Sequence, residues 1–64
     1  MKQDVSAEEI RCIADAVRQA CVIAAQEGYA NAAMSGLCDE GAFEAAVSAM
    51  RMVDLNVVLA NLKE

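Results

Sequence analysis

The feature that most constrains this chain is the run from Ser6 to Ser35, in which almost every residue favours an α-helix and no proline occurs. Ser6 and Glu9 have the spacing of a capping box, in which each side chain accepts a hydrogen bond from an exposed backbone amide. The run therefore predicts one long helix over residues 6–35. Gly28 costs about 1 kcal/mol relative to alanine inside a helix, which indicates either a kink or a close approach by another backbone.

A turn is expected after this helix, over Gly36–Asp39. Gly36 suits the left-handed position that ends a helix, and Asp39 is the expected N-cap of a second helix over residues 40–62. Near Met52 the pattern changes, and an apolar stripe appears on the side that charged residues occupied before. The stripe consists of Leu55, Val58, Leu59 and Leu62. One interpretation is a break near Met52–Asp54 with Asp54 capping a third helix, which the preference of Asp for caps favours. The other is one helix with two apolar faces.

The chain has more apolar residues than its length can easily bury. Hydrophobic residues make up 58% of its 64 residues, whereas a domain of this size buries only about 60% of its unfolded surface. Three cysteines are an odd number and do not form a complete internal disulfide framework. We therefore expect an all-α fold with a single domain over residues 1–64. The predicted unit is a helical hairpin that pairs into a dimeric bundle, with residues 1–5 as a flexible arm.

The residue types that usually carry catalysis or bind cofactors are scarce. The chain has no His and no Trp, and its aromatic residues are Tyr29 and Phe43. Catalytic sites usually use His, and cofactor pockets use aromatic residues with a few convergent polar groups. No Cys-x-x-Cys pair is present, so a tetrahedral zinc site has no obvious ligands. We therefore expect no enzymatic activity, no cofactor and no metal site.

The charge of the chain disfavours two classes of partner. Ten acidic and five basic residues give a net charge of −5, whereas nucleic acids and anionic membranes require clustered Lys and Arg. The acidic start does not resemble a signal peptide, and no apolar stretch approaches eighteen residues. A cytoplasmic protein with reduced cysteines that binds neither nucleic acid nor membrane is the expectation.

One segment supports an alternative function. The segment Ala32–Leu37, followed by a helix, resembles the turn of repressor-like helix–turn–helix DNA-binding proteins, with a small Ala, then Gly four residues on, then an aliphatic residue. The resemblance covers the turn and its flanks, and it implies a DNA-associated regulator. The second helix would present Asp39, Glu40 and Glu44 to DNA, and acidic side chains oppose the phosphate contacts that supply most of the affinity.

A second alternative is a thiol-based redox sensor centred on Cys38. This cysteine lies in the turn near the start of a helix, where a thiolate is stabilised. No His or second Cys lies nearby in sequence to activate it or to resolve an oxidised form. The simpler interpretation is a turn residue that is partly covered.

The leading hypothesis is a small acidic regulatory or adaptor protein that acts through protein–protein contact as a homodimer. Arg18, Val22 and Tyr29 form a candidate partner-binding strip, because large apolar residues among charges often mark an interface. An equally supported interpretation is that a dimer covers this strip. The predicted oligomer interface consists of Ile13, Val17, Cys21, Leu55, Val58, Leu59 and Leu62. Cys21 lies near the middle of the long helix, so an antiparallel pairing about that point would bring two copies of it together.

Overall fold

The computed structural model describes residues 6–62 and contains three α-helices in that part of the chain. They are α1 (Ala7–Met34), α2 (Asp39–Arg51) and α3 (Leu55–Leu62). No strand occurs within these residues, so the all-α prediction is confirmed. The predicted flexible arm, residues 1–5, lies outside the described residues.

The start of α1 is the capping box that the sequence predicts. The backbone N–H of Glu9 donates to Ser6 Oγ at 3.2 Å, and the backbone N–H of Ser6 donates to Glu9 Oε1 at 3.4 Å. Two of the helix's unpaired amides are thus satisfied, and Glu8 and Glu9 lie at the positive end of the helix dipole. From there α1 continues unbroken through Gly28 to Met34.

The end of α1 is a Schellman motif. Gly36 has a φ of 95°, a left-handed conformation that glycine adopts without steric cost. Its N–H donates to Ala33 O at 3.0 Å, and the N–H of Leu37 donates to Ala32 O at 3.1 Å. These bonds satisfy two of the last carbonyls of the helix. The prediction for Gly36 is confirmed.

The start of α2 differs by one residue from the prediction. Cys38 is the N-cap, in an extended conformation and without a side-chain hydrogen bond to the helix. Asp39 is the first helical residue, so the expectation that it would be the N-cap is wrong. Its carboxylate still lies in the first turn, where it interacts favourably with the helix dipole.

The second helix breaks where the apolar pattern changes. α2 ends at Arg51 and α3 begins at Leu55, with a bend of 57° between them. Asp54 Oδ1 accepts hydrogen bonds from the N–H of Asn56 at 3.0 Å and of Val57 at 3.4 Å. The interpretation that Asp54 caps a third helix is confirmed, and a single helix over residues 40–62 is wrong.

Gly28 lies where α1 and α2 pack closely against each other. A Cβ built at Gly28 would lie 2.9 Å from Ala49 Cβ, 3.1 Å from Ala45 O and 3.4 Å from Ala46 Cα. Only a residue without a side chain fits this contact. The close approach of another backbone, one of the two explanations for Gly28, is therefore confirmed.

The buried core of the described residues consists of three alanines, Ala32, Ala42 and Ala46. Burying an alanine methyl contributes about 0.8 kcal/mol, whereas fully burying a Leu or Ile contributes about 1.5–3 kcal/mol. Half-buried residues surround these alanines on both helices, and most are small as well. The tight contact between α1 and α2 therefore uses residues with little apolar surface.

The helices also differ in length. At 1.5 Å per residue α1 is about 42 Å long and α2 about 20 Å. α2 therefore covers only the carboxy-terminal half of α1. Every residue from Ala7 to Asp15 is exposed, although α3 contacts α1 as well.

Candidate functional site

The main candidate site is an apolar surface formed by the first third of α1 and by α3. Ile10 and Ile13 on α1 are 56% and 37% exposed. Leu55, Leu59 and Leu62 on α3 are 52%, 41% and 39% exposed. Leu62 and Ile13 line one shallow depression together with Glu9 and Cys12, so the two helices contribute to a continuous surface.

The structure divides the predicted oligomer interface into two groups. Ile13, Leu55, Leu59 and Leu62 are exposed, whereas Val17, Cys21 and Val58 are half-buried. Cys21 precedes Gly28 by seven residues, which is two helical turns, so both residues lie on the side of α1 that α2 covers. The predicted interface residues therefore belong partly to the contacts within one chain.

The predicted partner-binding strip is exposed and contains one bond between helices. Val22 and Tyr29 are exposed, and the guanidinium of Arg18 forms an ion pair with Asp15 one turn earlier. Tyr29 Oη donates a hydrogen bond to Asp39 Oδ1 at 3.3 Å, which ties α1 to the first turn of α2. The negative charge of Asp39, together with this bond, raises the pKa of Tyr29 above its ordinary value of 10.0.

A strip of alternating charge lies beside the apolar surface on the first half of α1. Glu8, Arg11, Asp15 and Arg18 follow one another at spacings of three, four and three residues. These spacings place them on one side of the helix. Together with Cys12 and Ala14 the four side chains line a single shallow depression. The alternation of acidic and basic residues is visible in the spacing of the sequence.

A second apolar stripe, on α2, was missed by the sequence reasoning. Phe43 is 64% exposed, Met50 is also exposed and Val47 is half-buried, at spacings of four and three residues. This spacing is typical of one helix face and is visible in the sequence. Phe43 also lines a shallow depression with the acidic residues of the first turns of α2, namely Asp39, Glu40 and Glu44. These acidic residues are exposed, on the helix that the alternative DNA-binding function would use.

The three cysteines are all free thiols. Cys12 and Cys38 are exposed and Cys21 is half-buried. Cys38, the centre of the alternative redox function, stands at the amino end of α2, where its backbone carbonyl accepts a hydrogen bond from Ala42 at 2.8 Å.

Within residues 6–62 no three Asp, Glu or Cys side chains are grouped so that they would hold a metal ion. No single described helix is long and apolar enough to cross a membrane, although α2 and α3 would meet that criterion as a pair bent by 57°.

Comparison with protein families, with curated proteins and with solved structures gives no match to this chain.

Proposed function

We propose that this chain is a helical hairpin that functions through protein–protein contact, that its first partner is a second copy of itself, and that it performs no catalysis. One observation carries this proposal: the three buried residues within 6–62 are alanines, whereas large apolar side chains on all three helices are exposed. A monomeric protein usually has the opposite distribution, because large aliphatic residues supply most of the burial energy.

The exposed apolar surface is of the size that association requires. Ile10, Ile13, Leu55, Leu59 and Leu62 are each between 37% and 56% exposed. Completing the burial of each is worth about 1 kcal/mol, which gives about 10 kcal/mol for the two copies in a dimer. Association costs about 4–15 kcal/mol in lost translational and rotational freedom. A dimer of this kind needs most of these side chains buried together, and single polar substitutions would weaken it measurably.

The role proposed for the dimer is that of a small acidic adaptor or regulator in the cytoplasm. Arg18, Val22 and Tyr29 form the strip proposed to contact another protein, because this strip carries an aromatic and an aliphatic side chain among charges. The alternative, in which a second copy covers the strip, makes a different prediction: Val22→Ser would then weaken the dimer itself.

Light scattering in reducing buffer, over a range of concentrations, tests the proposal directly. We expect a mass of twice the 6.8 kDa chain at high concentration, falling toward one chain on dilution. Leu59→Gln would shift the transition to higher concentration. Met34→Gln is the matched control, since Met34 is 82% exposed at the far end of α1 and lies outside the proposed surface. A well-folded monomer at every concentration would overturn the proposal of a homodimer.

A further inference from the structure

The proposed homodimer leaves open which surfaces meet. We infer that two copies pair through the first half of α1, antiparallel, with the two-fold axis at the level of Ile13. This inference rests on the proposed function and adds the location, the direction and the register of the contact.

The length of α1 left uncovered determines where a second copy fits. Every residue from Ala7 to Asp15 is exposed, whereas α2 covers the half of α1 that contains Gly28. In an antiparallel pair centred on Ile13, residue 7 of one copy lies opposite residue 19 of the other. The overlap therefore ends before the part of α1 on which α2 packs, and the rest of the partner helix continues beyond the start of α1.

When two copies of this segment lie antiparallel, each charged side chain of one copy faces an oppositely charged side chain of the other. About a centre at Ile13, Glu8 lies opposite the other copy's Arg18, and Arg11 lies opposite the other copy's Asp15. Each pair occurs twice, so the two-fold gives four contacts between opposite charges and no contact between like charges. In the single chain the ion pair within residues 6–62 joins Arg18 to Asp15, and Arg11 forms none there.

The side chains around this strip allow the two helices to approach closely. At about 100° per residue, the four charged residues occupy an arc of about 80° on α1. Ala7, Ala14 and Ile10 follow next around the helix, nearest to Arg18 and Arg11. Small residues at the centre of a contact let helices approach to the low end of the usual separation, and the long Arg side chains then reach the acidic groups of the other copy.

The same pairing centred on Cys21 is less compatible with the structure. An overlap about Cys21 would extend along nearly all of α1. On the side toward which Cys21 and Gly28 face, α2 already lies against the helix, with Ala45 O only 3.1 Å from where a Gly28 Cβ would be. Moving the axis to the level of Ile13 avoids this overlap and keeps Ile10, Ala7 and Ala14 at the contact.

Exposed ion pairs add little affinity individually, so in this part of the dimer Ile10, Ala7 and Ala14 supply the apolar contact and the charges select its register. Register selection can be tested by charge reversal in two separate chains. In an Arg11→Glu chain, two acidic groups would meet twice in the homodimer. In an Asp15→Arg chain, two basic groups would meet twice. An equal mixture of the two chains restores opposite charges at every contact.

The experiment measures mass by light scattering at low salt and composition by native mass spectrometry. We expect each variant alone to dimerise about 30-fold more weakly than the unmodified chain, equivalent to about 2 kcal/mol, and the equal mixture to form heterodimers. Arg51→Glu and Glu44→Arg make the same charge changes on α2, where both residues are exposed. These controls are expected to dimerise like the unmodified chain, alone or mixed.

Three results would overturn the inference. Variants that dimerise as strongly as the unmodified chain, or a mixture that shows no preference for heterodimers, would place the axis elsewhere and leave the proposed homodimer intact. An unmodified chain that stays monomeric would overturn the homodimer and this inference together.

If a charge variant loses its helix content, disulfide cross-linking provides a second test of the antiparallel pairing. In a background with Ser at all three cysteine positions, Ala14→Cys places a thiol close to the axis and toward the other helix. Oxidation is expected to give a covalent dimer. The matched control is Ala33→Cys, an exposed position on α1 that lies outside the overlap. Equal cross-linking of the two variants, or none with Ala14→Cys, would contradict the inference.

Discussion

Substitution of Gly28 by alanine tests whether the contact between α1 and α2 is as close as the structure shows. At an exposed position inside a helix, replacing glycine by alanine stabilises a protein by about 1 kcal/mol, because alanine is the better helix former. Here the new methyl would lie 2.9 Å from Ala49 Cβ and 3.1 Å from Ala45 O. Carbon atoms normally approach to about 3.5–4.0 Å, so the two helices would have to separate.

The balance of these two effects sets the expected magnitude. Overpacking a contact of this kind costs about 1–3 kcal/mol, which exceeds the gain in helix propensity. We expect Gly28→Ala to destabilise the protein by about 1 kcal/mol and to lower Tm by about 4–8 °C. Gly41→Ala is the matched control. A Cβ at Gly41 meets the movable Leu37 Cδ2 at 3.2 Å, so this change is expected to stabilise by up to about 1 kcal/mol.

Thermal and urea unfolding, followed by far-ultraviolet circular dichroism at one fixed protein concentration, provide the measurement. The double variant Gly28→Ala/Ala49→Gly removes the methyl that the new side chain meets. It should therefore be more stable, by about 1 kcal/mol, than the sum of the two single changes predicts. If Gly28→Ala raises Tm as much as Gly41→Ala does, the close contact between the helices is refuted.

Three further predictions concern side chains that form hydrogen bonds at helix ends. Tyr29 is the one Tyr in the chain, so an ultraviolet absorbance titration reports the ionisation of this residue alone. The midpoint of the titration should lie above pH 10, and Asp39→Asn should return it to about 10. Because folding raises the pKa of Tyr29, the bond to Asp39 stabilises the fold below pH 10, and this stabilisation is lost as the pH rises through the folded-state pKa. Tyr29→Phe should remove this pH dependence of the free energy of unfolding. Ser6→Ala should lower the free energy of unfolding by about 1 kcal/mol, whereas Ser48→Ala should have little effect. Asp54→Ala should cost about 0.5–2 kcal/mol and reduce helix content at α3, while Asp54→Asn should retain most of both.

The helix boundaries were predictable because the signals for them are local. The Ser6–Glu9 pair, Gly36 and Asp54 each act on backbone groups within three residues, so their spacing in the sequence is enough. The start of α2 was one residue off, because Cys38 and Asp39 both lie where an N-cap is expected and Asp has the stronger preference for it. The structure nevertheless places Cys38 at the cap.

The arrangement of the helices was less accessible from the sequence. The predicted oligomer interface on α1 combined Val17 and Cys21, which are half-buried within one chain, with Ile13, which is exposed. Periodicity gives the direction of a side chain around its own helix, whereas its burial depends on how far along that helix the neighbour extends. α2 does not extend far enough along α1 to cover Ile10 and Ile13, because the helix is broken before Asp54.

The distribution of side-chain sizes has one physical explanation that joins the fold to the proposed function. Gly28, Ala45, Ala46 and Ala49 allow α1 and α2 to pack at very short distance, and so close a contact leaves no room for a Leu or an Ile between them. The large apolar residues therefore lie on the outer sides of the helices. Their burial, which contributes most of the hydrophobic stabilisation available to so short a chain, then requires a second molecule. A larger side chain at the contact between α1 and α2, such as Gly28→Ala, and a polar side chain on the outer surface, such as Leu59→Gln, should consequently change different measured quantities. The first lowers the stability of each chain, and the second raises only the concentration at which chains associate.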